Sequence, residues 1–193
     1  MARHDARLNY RKQDNHYLIE LSLKSPRQMF NSMDPAPFHE KDLANEAVEY
    51  IVESVEELHV STPMRLRIYL PPEEVATPLA NELPGAIRHY FNYRANMTRR
   101  SLRNKLQQGR ISLVIGLTFL ILCLTVPAAL QQSLEGTLLD VIEEGLIIIG
   151  WVSMWRPVQI FLYDWWPIRH ILRVHTRIRD LQVEVMAQGV HNP

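Results

Sequence analysis

Arg156 and Asp164 stand eight residues apart within WVSMWRPVQIFLYDWWPIRH (151–170), a string otherwise dominated by aromatic and aliphatic side chains. A charge carried into hydrocarbon must face protein, water or the headgroups, so such a pair suits contacts between helices or a polar path across a bilayer. Glu143 and Glu144, a few residues upstream, are further acids that could meet Arg156 from another copy of the chain. In one straight helix the eight residues separate Arg156 from Asp164 by about 12 Å along the axis, too far for a direct pair.

Other chemistry finds little material. No glycine-rich phosphate loop, nucleophile elbow, HExxH or paired-cysteine motif is present, and the chain has only seven glycines and one cysteine, Cys123. The eight histidines lack the spacing that sets two metal ligands on one helix face. His39, Glu40 and Asp42 come nearest to a metal cluster, but they read better as a polar helix start after two prolines. No catalytic residue, metal site or cofactor is expected, and the function is read as non-enzymatic.

The positions around these residues are split by charge. The first 110 hold 16 Lys/Arg and 14 Asp/Glu, and the remaining 83 hold 5 and 7. A formal net charge of zero argues against nucleic acid as partner, which calls for a basic excess on one face. Behind the basic residues of MARHDARLNYRKQDNHY no apolar core of a secretory signal is visible.

Ile111 to Leu130, ISLVIGLTFLILCLTVPAAL, is 20 residues without a charge, enough at ~1.5 Å per residue to cross ~30 Å of hydrocarbon. An acidic turn follows, with Glu135, Asp140, Glu143 and Glu144, and then a second apolar stretch. Two geometries fit that stretch. A span from Gly145 to Ile168 places Arg156 near mid-bilayer beside Pro157, which loosens the helix. A span from about Leu138 to Trp155 lets Arg156 reach headgroups and leaves PVQIFLYDWWP as an interfacial aromatic segment.

Arg94 to Arg110 carries six bases and no acid, and Arg169 to Arg179 carries four arginines and no acid. Basic flanks stay on the cytoplasmic side, so a multi-pass hairpin in a cell inner membrane with both termini cytoplasmic is expected. Arg99, Arg100, Arg103, Lys105, Arg110, Arg169, Arg173 and Arg177 are then the expected contacts to anionic lipid headgroups.

Upstream, Tyr17–Lys24 and Met64–Leu70 alternate as half-buried strands, and Ala44, Ala47, Val48, Ile51, Val55 and Leu58 form a helical stripe between them. Asp42 is a plausible N-cap for that helix. Strand, helix, strand implies a parallel βαβ unit, and two strands alone leave edges that invite another chain, unless Lys24 to Ser32 or the extreme N-terminus adds a third strand. Ile171, Val174, Ile178 and Leu181 share one side of a C-terminal helix. Such a helix either lies on the membrane surface, the favoured position, or packs under the βαβ domain.

The expected architecture is an α+β membrane protein: a small cytoplasmic α/β domain at 1–93, a basic linker helix at 94–110, a two-helix transmembrane hairpin at 111–168 and a basic amphipathic cytoplasmic tail at 169–193. EGLIIIGWVSMWRPVQIFLYDWWPIRH, following a first span like ISLVIGLTFLILCL and an upstream DPAPFHEKDL, resembles a family of bacterial two-span inner-membrane proteins with no known activity. That resemblance implies a bacterial inner-membrane origin and no catalysis. The expected role is a homo-oligomeric membrane-anchored scaffold or regulatory subunit whose cytoplasmic domain binds a partner. The alternative is a channel or transporter subunit using Arg156 and Asp164.

Overall fold

The computed structural model describes residues 10–37, 41–130 and 137–189. The expected cluster at His39 and Glu40, and Glu135 of the acidic turn, lie outside them. The chain divides into two compact units, Met1–Asn96 with Leu172–Pro193, and Met97–Ile171.

The first unit is built on a mixed four-stranded sheet in the order β1 (Lys12–Gln13), β2 (His16–Ser22), β3 (Met64–Leu70), β4 (Gln182–Ala187). The expected strand, helix and strand are present as β2, α1 (Asn45–Glu57) and β3, with β2 and β3 parallel and Ile19 opposite Leu66. The two-strand expectation is corrected at both edges. Asp14 and Asn15 take positive φ of 48° and 64°, a conformation their short polar side chains tolerate, and turn the chain into an antiparallel β1–β2 hairpin.

The larger correction concerns the C-terminal tail. Its helix stops at Arg179, and Gln182–Ala187 pairs parallel to β3, with Leu66 opposite Val183 and Ile68 opposite Val185. Val174, Ile178 and Leu181 are buried in the same core as Ile19, Ile51, Leu66, Ile68, Ile87 and Phe91. Val174, Ile178 and Leu181 therefore pack in the core of the sheet unit rather than on a membrane surface, while Ile171, 44% exposed, does not join them.

The opposite sheet face is polar. Arg67 is 9% exposed and donates to Glu184 of the neighbouring strand from Nη2 at 2.8 Å and to Gln13 from Nη1 at 2.9 Å. Arg65 pairs with the same carboxylate at 3.4 Å, and the Tyr69 hydroxyl donates to Glu20 at 2.7 Å. Charged side chains on a sheet face are thus matched strand to strand, which fixes the register of β4.

Asp42 does not cap α1. Ala44 holds the N-cap position, and Asp34 organises the approach by accepting the backbone N–H groups of Ala36 at 2.9 Å and Asp42 at 2.6 Å. These two bonds hold the Asp34 carboxyl below the usual carboxylate range.

His175 is 7% exposed, with its ring centroid 6.0 Å from that of Phe91. Burial lowers its pKa below the ordinary 6.5, Arg94 lowers it further, and Glu56 opposes the shift. The unfolded chain therefore binds the proton more readily than the folded one, so stability is complete above about pH 6.5 and declines as pH falls from there towards the lowered folded value. Thermal melts at pH 7.5 and 5.5 should show a lower Tm at 5.5, and His175→Leu should flatten that dependence.

Candidate functional site

The second unit is a pair of helices, and two stretches are long and apolar enough to cross a membrane, Pro78–Pro127 and Asp140–Arg179. The first lies in α3 (Pro78–Leu130), which follows the short helix α2 (Pro72–Val75). The second is broken into α4 (Thr137–Ser153), α5 (Trp155–Gln159), a wide π turn (Ile160–Asp164) and α6 (Trp165–Arg179).

Small residues bring the two together. A Cβ on Gly116 would lie 2.9 Å from the Ser153 carbonyl oxygen, one on Gly109 would lie 2.8 Å from Ile160 Cγ2, and one on Gly150 would lie 3.0 Å from Leu120 Cδ1. The Ser153 hydroxyl donates to the Gly116 carbonyl at 3.1 Å and to that of Gly150 at 2.6 Å. Close backbone approach with a serine bridging between helices is how apolar helices associate where water supplies no driving force. The helices run antiparallel, since positions rising from 105 to 120 on α3 meet positions falling from 164 to 150.

Asp164 closes the basic end of this seam. Its carboxylate lies 3.0 Å from Lys105 Nζ and 3.8 Å from Arg156 Nη1. The expectation that Arg156 and Asp164 stand too far apart is thereby corrected. It assumed regular helix, in which eight residues leave the side chains ~80° apart around the axis, whereas the π turn absorbs one residue and brings them to within ~20° of one face. The Trp165 indole N–H reaches back to the Phe161 carbonyl at 2.7 Å and stitches the wide turn.

The same register bears on the two geometries expected for Arg156. It places Arg156 level with roughly Leu113, only ~4.5 Å along the axis from Arg110, and not at the middle of the apolar stretch. The regular helix ends at Ser153, and Met154 begins an irregular passage ahead of Pro157. Both features match the shorter parse ending near Trp155.

Several cations expected at headgroups are engaged otherwise. Lys105 pairs with Asp164, and the Arg169 guanidinium sits 5.4 Å above the Trp165 ring. In the sheet unit, Arg177 donates to the carbonyls of Val55 at 3.3 Å, Leu58 at 3.4 Å and His59 at 3.0 Å, satisfying the C-terminal carbonyls of α1. Arg177→Met keeps the apolar stem and leaves these carbonyls unmet; it should lower stability by about 1–3 kcal/mol, read by chemical denaturation. Arg99, Arg100, Arg103, Arg110 and Arg173 are exposed. Glu143 is half-buried and Glu144 exposed, and neither is ion-paired among the described residues.

Sequence reasoning missed the seam of Gly109, Gly116, Gly150 and Ser153. Its signal was available as small residues seven apart within and beside an apolar run. Comparison with known proteins returned no matching family model, no matching curated protein and no matching solved structure.

Proposed function

We propose that this chain is a homo-oligomeric membrane-anchored scaffold or regulatory subunit of a bacterial inner membrane, in which the helix pair is a transmembrane hairpin and the sheet unit binds a partner in the cytoplasm. The observation that carries this reading is the antiparallel glycine and serine seam between two apolar helices. Basic residues and exposed aromatics gather at one end of that seam.

Two surfaces of the sheet unit support recruitment. Strand β4 ends the sheet with only half-buried Val183 and Val185, and carries no lysine, proline or bulge to discourage a second strand. The exposed Glu46, Glu49, Glu53 and Glu56 of α1 suit a basic partner. A polar conduction path is less well supported, because Arg156 and Asp164 meet within one chain near the basic end of the seam.

Alkaline carbonate extraction followed by light scattering of the purified protein tests the reading. Retention in the membrane pellet with a mass of two or more chains is the expected result. Release into the wash, or Arg156-dependent ion flux in liposomes, would replace it.

A further inference from the structure

The basic end of the helix pair carries a feature that topology alone does not require. Arg99, Leu102, Arg103, Leu106, Gln107 and Arg110 follow one another at three- and four-residue steps and line an open groove of about 580 Å³ along one face of α3. The three arginines are exposed, and the sequence from 94 to 110 holds no acid to neutralise them. Lys105, on another side of the same helix, is already paired with Asp164.

A second, independent observation sets the depth of this groove. Trp155, Tyr163 and Trp166 are 75%, 69% and 70% exposed. By the antiparallel register they stand level with roughly positions 103 to 114 of α3. Exposed tryptophan and tyrosine favour the boundary between headgroups and acyl chains. The arginine face and the aromatic girdle therefore occupy one layer, and Arg110 is the last charge before the apolar run.

We propose that this face is a binding site for an anionic phospholipid, with the headgroup phosphate held by Arg103 together with Arg99 or Arg110. Planar guanidinium groups take phosphate oxygens in pairs, Leu102 and Leu106 supply apolar contact for the glycerol and the first methylenes, and the Gln107 amide offers a further donor. Zwitterionic lipids carry the same phosphate beside an ammonium, which three guanidinium groups without an ion pair among the described residues repel. Selection of anionic over zwitterionic lipid follows from that charge difference. The site rests on the membrane reading proposed above.

The test uses the full chain in vesicles of phosphatidylcholine containing a minor share of brominated lipid, which quenches tryptophan on contact. Brominated phosphatidylglycerol should quench more than an equal share of brominated phosphatidylcholine. Arg99→Gln, Arg103→Gln and Arg110→Gln should each weaken the preference about fivefold and together abolish it, at unchanged helicity by circular dichroism. Arg173→Gln should leave it in place. Preference surviving in the triple variant overturns the site, and so does its loss when inorganic phosphate is added at constant ionic strength, which marks a site for free phosphate. Wild-type protein that stays in the carbonate-washed pellet yet shows no preference refutes the site alone; wild-type protein released by carbonate refutes the membrane reading itself.

Discussion

A chain ended after Arg179 does not fold its sheet unit. Strand β3 is central, paired with β2 on one side and β4 on the other, and Met64, Leu66, Ile68 and Leu70 are all buried. Removing β4 takes away the buried Leu181, opens the ladder from Arg65 to Leu70 and leaves Arg67 without the Glu184 carboxylate. Burying a leucine is worth about 1.5–3 kcal/mol and each ladder hydrogen bond about 0.5–1.5 kcal/mol. Their joint loss is comparable with the whole stability of a small domain, about 5–15 kcal/mol. Limited proteolysis should show the truncated chain digested throughout 10–96, while the full chain resists. Glu184→Gln isolates the charge contribution from the loss of the strand and should lower the denaturation midpoint without abolishing folding.

The second large effect is expected at Gly116. Leucine there must displace either the Ser153 carbonyl, 2.9 Å from the new Cβ, or the Met154 sulfur at 3.3 Å, and backbone gives way less readily than a side-chain end. Overpacking of this kind costs about 1–3 kcal/mol. A disulfide reports on it. A Cβ on Gly150 would lie 3.1 Å from Cys123 Cβ, a few tenths of an ångström inside the usual disulfide separation, so Gly150→Cys should oxidise onto Cys123 once the helices ease apart by that much and remove both thiols from maleimide labelling. Adding Gly116→Leu should slow that oxidation about tenfold. The same change at Gly145, where nothing lies within 4 Å of the added carbon, should leave the rate alone.

Much of the sheet unit could be read from periodicity. Tyr17 to Leu23 and Met64 to Leu70 alternate, and the stripe from Ala47 to Leu58 repeats at helical spacing, because each element has one face in a common core. The missing strand had a signal too. Val183, Glu184 and Val185 alternate, and Gly189 at φ +114° follows them, but Leu181 falls three residues after Ile178 and extends the helical stripe past its true end. Strand β1 is two residues long, too short for any pattern, and only the Asp14–Asn15 pair pointed to its turn.

At the candidate site, the residue types were legible and the geometry was not. Arg156 and Asp164 stood out as charges in an apolar string, but their separation depended on whether the helix between them is regular. A π turn leaves no period in eight residues. The basic residues were legible as a group, while which of them are engaged within the described residues required tertiary contacts. Arg177 serves the carbonyls of α1, more than a hundred residues upstream, and Lys105 meets a carboxylate on the other helix of the pair.

The central claim is that the helix pair crosses the membrane as a hairpin, with the arginine face on the cytoplasmic side. Single cysteines at Gln107 and Ser133, in a Cys123→Ser background, test it with a membrane-impermeant thiol reagent on spheroplasts. The hairpin predicts labelling at position 133 in intact spheroplasts and at position 107 only after permeabilisation. Labelling of both positions in intact spheroplasts, or of both only after permeabilisation, would contradict it.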